Sequence, residues 1–130
     1  MTSYRTALGR ARNLGSAKHG VGHFIVLRVS SIALAPLGLW ALYSALRLSR
    51  TGFDGAQAWM HAPVNAILSI LLAVATAVHM RLGMEEVILD YIHKTPSKTA
   101  LLILNYFVCV LAGVAAVFCI LKIALIGAAV

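Results

Sequence analysis

Three long apolar runs, separated by two polar breaks, dominate the chain. The first covers 24–46, the second starts after Pro63 and reaches about residue 89, and the third covers 99–121. At a rise of ~1.5 Å per residue, about 20 residues carry a helix across a hydrocarbon core ~30 Å thick. Lipid offers the backbone no hydrogen-bond partners, so runs of this kind cross it as helices. The pattern predicts an all-α membrane protein with three transmembrane helices, at about 24–46, 64–89 and 99–121. These form one domain over 24–126, behind a basic arm over 1–23.

The breaks carry their own signals. Pro63 suits the first turn of the second helix, where no backbone N–H is needed. Lys94-Thr95-Pro96-Ser97-Lys98 interrupts the chain before the third, with Thr95 or Ser97 as its cap. Residues 47–62 read as a polar connection, with Phe53 and Trp59 resting on the membrane interface. Pro36 falls inside the first span, where a kink is expected. Trp40 and Tyr43 lie toward the far end of that span, at the level of an aromatic belt.

Composition narrows the class. The chain is 61% hydrophobic and 12% charged, against roughly 45–50% and 25% for soluble domains. Its 11 Lys+Arg against 4 Asp+Glu give a net charge of +7. The basic residues stand mainly at the ends of apolar runs, so their neighbours are lipid headgroups rather than nucleic acid. Arg5, Arg10, Arg12, Lys18, Lys94 and Lys98 lie on one side, and Arg47, Arg50 and Lys122 on the other. By the positive-inside rule the amino terminus is inside and the carboxyl terminus outside. The first apolar run is longer than the 7–15 residues of a signal-peptide core, and reads as an uncleaved first helix. Cys109 and Cys119 are ten residues apart on one helix, about 15 Å along its axis, too far to bridge.

Within this frame a few residues stand out. His79 lies inside the second apolar run, and Asp90 eleven residues later falls on nearly the same helix face, about 16 Å farther along. Ionisable groups within a membrane helix are costly and so are candidates for function. Arg28, one turn inside the first span, either snorkels to the interface or binds an anion. Ser31, three residues on, shares its face. Asp90-Tyr91 at the helix exit reads, taken alone, as an interface pair, with Asp90 a salt-bridge partner of Arg81 or Lys94. Arg28, Ser31, Asp90 and Tyr91 are all expected near the inner membrane face. Glu85 and Glu86 are expected to face solvent or a soluble partner.

Two segments resemble the small hydrophobic anchor subunit of succinate dehydrogenase (respiratory complex II). One is Gly20-Val21-Gly22-His23-Phe24-Ile25-Val26-Leu27-Arg28-Val29-Ser30-Ser31, similar to the start of that family's first helix. The other is His79, Gly83 and Asp90-Tyr91, in the pattern His-x3-Gly-x6-Asp-Tyr. The resemblance implies a helix bundle shared with a second cytochrome b membrane subunit, docked to an iron–sulfur subunit and a flavoprotein. It implies a b haem shared between the membrane subunits, with His79 as an axial ligand of the iron. It also implies Arg28, His23 and His19 near the haem propionates, and a ubiquinone site formed by Tyr91, Asp90, Arg28 and Ser31. Gly83 would let the porphyrin or a neighbouring helix approach closely. The implied location is a bacterial inner membrane, or alternatively the mitochondrial inner membrane. A haem-free anchor of a fumarate reductase-like complex is the first alternative. A small transporter is the second, disfavoured because no repeat relates the spans and no carboxylate lies in their cores.

Overall fold

The computed structural model describes residues 6–11 and 20–126. Within them nearly all of the chain is helical: α1 (Ala7–Ala11), α2 (Gly20–Leu48), α3 (Gly52–His61), α4 (Pro63–Tyr91) and α5 (Thr95–Ile126). α2, α4 and α5 are each long and apolar enough to cross a membrane. All three outrun the predicted spans, because helical hydrogen bonding continues past the edge of the hydrocarbon. The second polar break is accordingly shorter than expected. α5 starts at Thr95, so only 92–94 remain outside a helix, and Pro96 falls in the first turn, where its missing N–H costs nothing. Pro36 lies inside α2, which continues through it.

α4 is the middle of a row. It packs against α2 on one side and α5 on the other, whereas α2 and α5 do not touch one another among the described residues. Small side chains make close packing possible. A Cβ added at Gly113 of α5 would sit 3.1 Å from the Ala77 Cβ of α4. Polar pins supplement it: the Asn105 side-chain amide donates to the Arg81 carbonyl at 2.9 Å, and the Cys109 thiol to Asn105 Oδ1 at 3.3 Å. At the carboxyl end of α4, Lys98 Nζ donates to the Leu89 carbonyl at 3.2 Å and the His93 ring to that of Tyr91 at 3.1 Å. Both bonds satisfy carbonyls that a helix end leaves free.

The stretch 47–62 is the clearest departure from the sequence pattern. Most of it is α3 rather than an irregular connection. Gly52 takes φ +68°, a conformation glycine adopts without penalty. A Cβ on Gly55 would fall 2.5 Å from the Thr51 Cβ, so the turn into α3 requires glycine there. Trp59 stacks on Trp40 of α2 at 5.5 Å, and the His61 ring donates to the Ala124 carbonyl of α5 at 3.3 Å. α3 therefore ties together the ends of the outer helices. Phe53 is exposed, as an interface residue would be, but Trp59 is spent on packing.

Buried apolar side chains among the described residues are few: Ala66, Leu82, Ile88 and Cys109. Large side chains such as Ile32, Leu39 and Leu111 lie open on both flanks of the row. In water that surface would be prohibitive, but lipid tails are as apolar as the side chains they meet.

Candidate functional site

The polar residues of α2 and α4 meet at two points. Ser30 Oγ lies 3.1 Å from His79 Nδ1, and His23 Nε2 lies 2.8 Å from Glu86 Oε1. The second contact has the distance of an ion pair but not the line of an N–H···O bond, and that nitrogen is otherwise buried without a partner. His23 and Ser30 are seven residues apart on α2, as are Glu86 and His79 on α4. Two antiparallel helices in fixed register require this spacing. Glu86 therefore reaches α2 while staying half-exposed, and Glu85 lies 4.0 Å from Arg81 on its own helix.

The same register sets the depth of the other candidates. Arg28, two residues before Ser30, is level with Arg81, and Ser31 is level with Val78. Asp90 and Tyr91 end α4, thirteen residues beyond Val78 in the case of Tyr91, which is ~20 Å along the axis. The expected cluster of Tyr91, Asp90, Arg28 and Ser31 thus divides into two, and Ser31 does not reach Tyr91. The pairing of α2 with α4 separates them along the axis, with Asp90 and Tyr91 at the end of α4 and Arg28 and Ser31 farther in. Ser31 instead returns its hydroxyl to the Leu27 carbonyl at 2.8 Å.

Each remaining group has a defined setting. His79 is half-buried, and its Nε2 takes no hydrogen bond from the described residues. Gly83, one turn on, faces open space where a Cβ would meet nothing within 4 Å. The Arg28 guanidinium lies 5.2 Å from the Phe24 ring centroid, with no carboxylate in ion-pair range among the described residues. Asp90 likewise pairs with neither Arg81 nor Lys94, and Tyr91 is 77% exposed. His19 lies outside the described residues. No group of three His, Cys, Asp or Glu able to hold a metal occurs among them.

Ser30, rather than its neighbour Ser31, is the hydroxyl that meets His79. A signal was present. Polar residues recur at seven-residue spacing on both helices, His23 with Ser30 and His79 with Glu86, and only the pairing of the two patterns reveals the seam.

A family model described as succinate dehydrogenase/fumarate reductase transmembrane subunit matches residues 2–125. The succinate dehydrogenase hydrophobic membrane anchor subunit of Rickettsia conorii is 30% identical over 113 residues, covering 86% of this chain and 90% of that one. Its counterpart in Rickettsia bellii is 31% identical over 100 residues, covering 77% and 80%. That of Rickettsia typhi is 24% identical over 112 residues, covering 86% and 90%. No solved structure matches.

Proposed function

The chain belongs to the family of succinate dehydrogenase/fumarate reductase transmembrane subunits, and from that membership we propose that it anchors a succinate:quinone oxidoreductase and supplies one axial ligand, His79, to a b haem. A second cytochrome b membrane subunit would supply the other ligand. The observation that carries this reading is a half-buried imidazole whose Nε2 is unpartnered, with the bare face of Gly83 one turn away. A haem iron asks one imidazole of this chain, whereas structural zinc asks for four ligands. The donor set fits the former.

When bound, the haem supplies a one-electron centre within the membrane. This chain's residues hold it. Arg28, with no carboxylate in ion-pair range among the described residues, would offer its guanidinium to a propionate, and His23, whose Nε2 is turned to Glu86, is assigned there by motif. His19 is assigned to the propionates by motif alone. At the end of α4, the Tyr91 hydroxyl donates to a ubiquinone carbonyl, and Asp90 passes it protons from the aqueous phase. Because Ser31 and Arg28 lie ~15–20 Å deeper, the rest of that quinone pocket comes from the second membrane subunit. The polar surface around Glu85, Glu86, Asp90 and Lys94 docks the iron–sulfur subunit, which carries the flavoprotein. The setting is a bacterial inner membrane with the amino terminus inside.

The test is the reduced-minus-oxidised absorption spectrum of the assembled complex. A b-type band is expected in the native complex, lost or displaced in His79→Ala. An unchanged spectrum and haem content in that variant would remove His79 as a ligand. A native complex with no b-type band would instead support the haem-free anchor.

A further inference from the structure

We infer that Ser30 is a positioning residue for His79, accepting its Nδ1–H and fixing its ring orientation, and that the His23–Glu86 pair holds α2 in the register this requires. The inference rests on the ligand role proposed for His79 and adds to it the group that prepares the ligand.

The tautomer follows from the ligand role: with Nε2 given to the iron, the ring proton sits on Nδ1, where it faces Ser30 Oγ. The Ser30 hydroxyl has one proton and two close neighbours, the Leu27 carbonyl at 2.9 Å and His79 Nδ1 at 3.1 Å. The carbonyl can only accept, and although it is shared with Ser31 Oγ at 2.8 Å it leaves Ser30 free to turn its proton there when Nδ1 brings its own. What Ser30 then presents to His79 is a lone pair, which the Nδ1 proton meets. A neutral imidazole protonated at Nδ1 has its free lone pair on Nε2, the nitrogen left open here. Ser30 is only 7% exposed, so water does not compete for the contact.

The register follows from the seven-residue spacing. His23–Glu86 lies two helical turns from Ser30–His79, about 10.5 Å along the axis. Between the two pairs Leu82 is buried to 2% exposure. The seam therefore runs polar, apolar, polar. Sliding α2 by one residue would move Ser30 ~1.5 Å and turn it by ~100°, which breaks the bond to His79. Metal-ligating histidines commonly donate their second ring N–H to a fixed acceptor, and losing that acceptor typically weakens metal binding about 10–100-fold. Here the acceptor is on another helix, so ligand geometry depends on how two helices pack.

The experiment compares Ser30→Thr with Ser30→Val in the assembled complex, with His79→Ala as reference. Thr and Val have nearly the same shape, so any packing defect is common to both and the hydroxyl is the difference. Thr can still bond back to the helix carbonyl, as Ser30 does. The readouts are haem retained under detergent challenge and the haem midpoint potential. Ser30→Val should hold haem about 10-fold less tightly. Its potential should shift positive, since an imidazole without the Nδ1–H bond is a poorer donor to oxidised iron. Ser30→Thr should restore both. Equal retention and equal potential in Thr and Val variants, with haem lost in His79→Ala, would overturn the role of Ser30 and leave the ligand in place. Wild-type haem in His79→Ala would overturn the ligand itself, and the positioning role with it.

Discussion

Replacing Tyr91 by Phe removes one hydroxyl and keeps the ring. Tyr91 is 77% exposed, and its hydroxyl has no partner among the described residues. Its backbone carbonyl is held independently by His93. The fold of this chain should therefore be indifferent to the change, as exposed substitutions generally are, to within ~0.5 kcal/mol. A lost neutral hydrogen bond to a quinone carbonyl costs ~0.5–1.5 kcal/mol. At ~1.36 kcal/mol per decade that is about a 2- to 12-fold loss in quinone reduction. The assay pairs two rates in one preparation: succinate-driven reduction of a short-chain ubiquinone, and succinate oxidation by a dye that takes electrons upstream. The first should fall and the second should not, with unchanged thermal unfolding of the complex. Unaltered quinone reduction and inhibitor affinity in an intact complex would refute the hydrogen bond. A complex that failed to assemble would refute the premise that the hydroxyl is free of structural duty.

Two further outcomes are expected. Gly113→Ala should weaken the α4–α5 contact, though less than Gly113→Leu, since the Ala77 Cβ at 3.1 Å is fixed to the α4 backbone and the helices must part by a few tenths of an ångström. Gly113→Leu should destabilise the complex by ~1–3 kcal/mol in an unfolding titration through overpacking of the α4–α5 seam; equal stability of the two variants would show that the helices part freely. A reporter fused after Val130 should signal the outer side, and one inserted at Lys94 the inner side. The reverse pattern would invert the orientation drawn from the basic residues.

Much of the architecture was legible because lipid imposes it. Twenty apolar residues in a row admit one conformation, and Pro63 marked the start of α4 to the residue. α3 was not, because two glycines hid a helical spacing of Phe53, Ala56 and Trp59 within a short polar stretch. Ser30 and Glu86 were missed because each looks ordinary on its own helix. Their meaning is relational and appears only when α2 and α4 are set side by side. The separation of Ser31 from Tyr91 is set by the pairing of α2 with α4, which no pattern on either helix alone records.

The open flanks of the helical row invert the usual map of mutational tolerance. In a soluble protein a partner subunit is recognised largely by the apolar area it hides from water. In a bilayer, exchanging lipid for a partner's leucines gains little, so exposed side chains such as Ile32, Leu39 and Leu111 carry little information about who binds there. Discrimination must reside in contours and in the few polar atoms, where lipid cannot imitate a protein. Changing one large aliphatic residue for another on these flanks should pass almost unnoticed by natural selection. Filling a notch at a glycine, or moving a single hydroxyl by one residue, should not.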